Sequence, residues 1–139
     1  MSDADSVREE YRPLTARELE ILELLLSVDV EGIEELRAQV PHALAARWSC
    51  GCASFGLVVD AAQAPRSRNT NSLLSEAASK ERRGPDSYFE LILWLRDGWL
   101  NSVEIVDYVD QHGDQSPQEI PPLDYWEAPH LSLHSQPPA

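Results

Sequence analysis

Lysine is almost absent from this chain, and after Arg96 basic residues are absent altogether. Of the eleven cationic residues ten are arginine and Lys80 is the single lysine, set against 24 aspartates and glutamates and a net charge of -13. Asp97, Glu104, Asp107, Asp110, Asp114, Glu119, Asp124 and Glu127 follow with no cation among them. Such a surface repels phosphate backbones, which argues against unassisted nucleic-acid binding. It speeds encounter with a basic partner instead. No run of apolar residues is long enough to span a membrane, and the first ten residues lack the apolar stretch of a signal peptide. A cytoplasmic protein with no membrane partner is expected. Cysteine is nearly missing as well: Cys50 and Cys52 are the only two, and in a reducing compartment they are thiols rather than a disulfide.

Catalytic motifs are missing too. There is no phosphate loop, no dinucleotide fingerprint, no His-Glu-x-x-His and no Ser-His-Asp order. The chain is read as a non-enzyme with no cofactor. Cys50 and Cys52 are the candidate metal ligands, since two thiolates one residue apart can face the same ion. A structural zinc site needs four ligands, however, and His42, His112, His130 and His134 are scattered. A turn around Gly51 with two small apolar cysteines explains the same residues.

What is present is a hairpin signal. Two β-prone stretches, Phe89 to Leu95 and Trp99 to Tyr108, flank Asp97-Gly98. A two-residue loop pairs Leu95 with Leu100 and Leu91 with Glu104. A bulged turn pairs Leu95 with Trp99, Leu91 with Val103 and Phe89 with Ile105, and gathers the leucines on one face. Burial favours the second register, which puts Glu90, Ser102 and Glu104 on the opposite face. Trp94 then lies opposite the leucines. It needs cover from a helix, or else forms an exposed aromatic patch with Tyr88 and Ile92.

Upstream, Thr15 and Glu18 form a capping box that starts a helix ending near Ser27. A second helix is expected from about Glu31 to Gln39, stopped by Pro41. Strands are expected over Ala43 to Trp48 and Phe55 to Val59. Leu73 to Glu81 is read as strand or irregular structure despite helical propensity, because consecutive strands tend to pair. The expected domain is 13–127, with 1–12 flexible and 128–139 a disordered tail, although Leu123, Tyr125 and Trp126 are able to dock on the sheet. The fold class is α+β: two N-terminal helices on one face of an antiparallel sheet of about four strands.

Three resemblances follow. The stretch Leu14 to Leu25 is similar to the first helix of a LuxR-type DNA-binding domain, but Ser27 to Val40 has one basic residue, Arg37, and lacks a recognition helix. Leu14-Thr-x-Arg-Glu, Leu25-Leu-Ser-Val-Asp, Arg47-Trp-Ser-Cys-Gly-Cys and Leu91-x-x-Trp-x-Arg-Asp-Gly-x-Leu-x-Ser-Val-Glu resemble the segments of a group of small actinobacterial proteins. That resemblance spans most of residues 14–108 and implies no activity. In size and acidity the chain also resembles immunity proteins that neutralise toxins, without a shared motif. The functional expectation is a small acidic protein-interaction protein, of the kind an immunity-type inhibitor represents, meeting a basic toxin or enzyme. Its partner-binding residues are Trp99, Glu104, Asp107, Tyr108, Asp110 and Asp114. The alternatives are a metal- or ligand-binding module on Cys50 and Cys52, and then a DNA-binding regulator.

Overall fold

The computed structural model describes residues 10–48, 53–81, 88–107 and 119–131. Pro13 and Leu14 lead into Thr15, whose extended backbone and hydroxyl cap helix α1, Ala16–Leu25. The capping box is complete. Thr15 Oγ1 accepts from the Glu18 amide at 3.1 Å, and Glu18 Oε1 accepts from the Thr15 amide at 2.9 Å. Glu18 is buried, and Arg12 grips its two oxygens at 2.5 and 2.9 Å. Thr15→Ala is expected to cost about 1 kcal/mol, read as a lower denaturation midpoint. Helix α2, Ile33–Gln39, runs into a 3-10 turn over Val40–His42 containing Pro41.

Seven strands follow, where about four were expected: β1 Arg12–Pro13, β2 Ala43–Arg47, β3 Phe55–Val59, β4 Leu73–Ala78, β5 Phe89–Arg96, β6 Trp99–Asp107 and β7 His130–Leu131. Their order is β1-β2-β3-β6-β5-β4-β7, and every neighbouring pair is antiparallel. The extra strands are β4 and the two-residue edges. Both edges are short, a known device against edge-to-edge pairing. The flexible segment expected over 1–12 is thus corrected at Arg12, which pairs with Ala45. The tail expected from Ala128 is corrected at His130 and Leu131, which pair with Glu76 and Ser75. Residues 1–9 and 132–139 lie outside the described residues.

The hairpin keeps the expected faces but not the expected register. Asp97 and Gly98 both have positive φ, 52° and 86°, so the turn is a two-residue one and pairs Leu95 with Leu100. One residue on, the register shifts at Asn101. Trp94 then faces Ser102, Leu93 faces Val103 and Leu91 faces Ile105. Without that bulge Leu91 would meet Glu104; with it, the leucines and valines share a face again.

That face is the core. Ile21, Leu22 and Leu25 of α1 and Leu36 of α2 pack over Phe55, Leu57, Leu91, Leu93, Val103 and Ile105. Ser75 on β4 donates to the Leu25 carbonyl at 2.7 Å, tying the end of α1 to the sheet. The segment after Glu119 closes the same side. Trp126 is 3% exposed, its ring stands edge-on to Tyr125 at 5.2 Å, and the Ile120 carbonyl accepts from Arg17. Glu127 N–H donates to Ala78 and Lys80 N–H to Tyr125, so this segment lines the edge of β4. No described helix is long and apolar enough to cross a membrane.

Candidate functional site

Antiparallel pairing fixes which residues share the face turned away from the helices. From β2 they are Leu44 and Ala46; from β3, Gly56 and Val58; from β6, Trp99, Ser102, Glu104 and Val106; from β5, Glu90, Ile92 and Trp94; from β4, Glu76 and Ala78; from β7, His130. Both helices and Trp126 belong to the other side, and Ile92, although 7% exposed, is absent from the helix-side core. The helix cover that Trp94 was expected to need is therefore not what satisfies it. Its indole N–H donates to Glu104 Oε1 at 2.9 Å across the β5–β6 pair.

The face has two halves. One is apolar: Leu44 and Val58 are 40% and 37% exposed, and Tyr11 reaches over Gly56. A Cβ at Gly56 would lie 3.2 Å from the Tyr11 hydroxyl, so the glycine makes room for that oxygen. A 680 Å³ hollow lined by Tyr11, Pro41, Leu44 and Val58 lies on one side of Val58. A 340 Å³ hollow lined by Val58, Arg96, Trp99 and Asn101 lies on the other.

The second half is acidic. The row His130, Glu76, Ile92, Glu104 crosses four strands in register, and Glu90 lies diagonally from Glu76 and Glu104. His130 Nε2 is 3.5 Å from Glu76 Oε2. Glu90 is 8% exposed and hydrogen-bonded to Glu76. Burial first, then that bond and the charge of Glu76, push the Glu90 carboxyl up to about 7. The Glu90 carboxyl thus keeps its proton well above the range of an exposed glutamate.

Of the residues singled out from sequence, Trp99 and Glu104 share this face. Asp107 alternates to the other and pairs with Phe89 at the end of β6. Tyr108, Asp110, Asp114, Cys50 and Cys52 lie outside the described residues. Among those described, no group of three or more His, Cys, Asp or Glu is arranged to hold a metal ion. Glu76 and Glu90 were not singled out as a site. The signal was available, since pairing Leu73 to Ala78 with the hairpin puts both on the face opposite the leucines.

No family model matches the chain, no curated protein matches its sequence, and no solved structure matches its fold.

Proposed function

We propose that the chain is a non-enzymatic interaction protein whose sheet face opposite the helices docks a basic protein partner and blocks it by occlusion, as an immunity-type inhibitor of a basic toxin or enzyme does. The observation that carries this reading is the presence, on one sheet face, of exposed Leu44 and Val58 together with the half-buried carboxylates of Glu76 and Glu104. Apolar area supplies the contact and the carboxylates select a cationic partner. With a net charge of -13 the chain repels a second copy of itself, so the occupant is a different molecule.

The test uses a cyclised hairpin peptide with two arginines and two valines on one face, and its twin with glutamates for the arginines. Calorimetry should show saturable binding of the arginine peptide alone, with amide shifts confined to β2, β3, β5 and β6. Leu44→Arg combined with Val58→Arg alters two exposed positions and should weaken binding at least about tenfold. Glu104→Gln keeps an oxygen for Trp94 and should also weaken it about tenfold. Equal binding of both peptides, or shifts on α1 and α2, overturns the reading.

A further inference from the structure

We propose that the hollow between α1 and the end of α2 binds a small aliphatic monocarboxylate, its acid group held by Arg37 and its chain lying along α1. The site goes beyond the docking reading. It lies among the helices and uses none of the carboxylates invoked there. Its volume is about 770 Å³, within the roughly 300–1,000 Å³ of small-molecule sites. Helical spacing builds one wall. Leu19, Glu23, Leu26 and Ser27 recur at i, i+4, i+7 and i+8, a stripe beside the one that Ile21, Leu22 and Leu25 bury in the core. The 3-10 turn adds Val40 and Pro41, and Ala43 begins β2.

Arg37 is the one cation among the lining residues. Its Nε donates to the Leu26 carbonyl at 3.0 Å and its Nη2 to the Val28 carbonyl at 3.4 Å. The guanidinium is thereby tied to the C-terminal end of α1, where the helix dipole favours a cation. Two tethers set its plane without exhausting its five N–H donors, and such a fork suits both oxygens of a carboxylate. Ser27 spends its hydroxyl proton on the Leu24 carbonyl at 2.6 Å, so Arg37 is the lining side chain that meets the acid. Leucine, valine and proline form the apolar wall, and among the described residues no aromatic ring lines it, which suits an alkyl chain. The net charge of -13 does not forbid an anion here. Charges more than about 8 Å apart are largely screened at physiological salt, so the groups beside the acid decide. Glu23 lines the same hollow and opposes the acid.

The test titrates octanoate into the full chain and follows backbone amide shifts. Saturation is expected with a Kd of about 1 mM or tighter. Octan-1-ol has the same chain without the charge and should bind about tenfold more weakly, and octylammonium more weakly still. Shifts should fall on α1, Val40 and Ala43 and spare β5 and β6. Arg37→Gln, which retains a donor for the Leu26 carbonyl, should lower octanoate to the octanol level and leave octanol within about twofold. Loss of a merely structural tether would weaken both ligands alike. Glu23→Gln should tighten octanoate about two- to threefold and leave octanol unchanged. Leu19→Trp fills the hollow and should weaken both at least about tenfold.

Equal binding of octanoate and octanol by the wild type, or a preference for octylammonium, overturns the assignment of the ligand. Failure of octanoate to saturate, or shifts confined to the face opposite the helices, overturns the site. If Arg37→Gln does not fold, Glu23→Gln and Leu19→Trp decide the matter by the same measurement.

Discussion

Gly98→Ala is expected to destabilise the fold by about 3–5 kcal/mol, a large part of the roughly 5–15 kcal/mol that holds a domain of this size. Gly98 has φ of 86°, where a side chain costs about 1–2 kcal/mol by itself. A Cβ there also overlaps the backbone carbonyl oxygen of Ser67 and sits 3.0 Å from Arg66 Cγ. Backbone cannot step aside cheaply here, because the turn is locked from three directions. The Gly98 carbonyl accepts from the Ser67 amide and from Gln39 Nε2, both at 2.9 Å. Gln39 Oε1 accepts from the Leu100 amide, and its Nε2 also donates to Pro65. Gln39 is fully buried, so moving the turn strands its amide without partners. Urea denaturation reads the effect as a midpoint lowered by about 2 M at an unchanged slope. A midpoint within a few tenths of a molar of wild type would mean that the loop carrying Ser67 yields easily.

The same turn shows how much of the fold is legible in the amino-acid order. Asp97-Gly98 located the hairpin, and alternation of Phe89, Leu91, Leu93 and Leu95 identified the buried face. The register escaped because a two-residue slip leaves every side chain on its own face, so burial accepts Leu91 opposite Val103 or Ile105 alike. The turn decides between them, and the bulge at Asn101 restores the parity that a two-residue loop breaks. Thr15 and Glu18 were readable because a capping box is local. Leu73 to Ala78 has the composition of a helix; adjacency to β5 overrides that propensity. Arg12–Pro13 and His130–Leu131 carry no readable signal, since two residues make no period and their pairing depends on what lies beside them. The acidic half of the face was half legible. Glu104 stood out among the late carboxylates, whereas Glu76 and Glu90 are brought together only by strand pairing.

Glu90→Gln is expected to stabilise the protein by about 3 kcal/mol at pH 8 and by about 1 kcal/mol at pH 5.5. An exposed glutamate loses its proton near 4.5, whereas burial and then Glu76 hold that of Glu90 to about 7. Below pH 4.5 the carboxyl is protonated in the folded and unfolded chains alike, and its raised value costs nothing. Between 4.5 and 7 the unfolded chain ionises first, so wild-type stability falls as pH rises, and above 7 the full penalty remains. Glutamine keeps the donor to Glu76 and removes the titration. Thermal unfolding should therefore place the variant about 10 °C above wild type at pH 8 and bring the two together below pH 4.5. Glu23→Gln, on the exposed side of α1, removes one negative charge from the same acidic chain and controls for its general self-repulsion. An equal gain from Glu23→Gln, or a Glu90→Gln gain independent of pH, would show that the pair holds no displaced proton. The expected pattern instead means that the face opposite the helices carries a cost which a glutamine would remove, and a cost of this kind is what the proposed binding surface would retain in order to meet a cation.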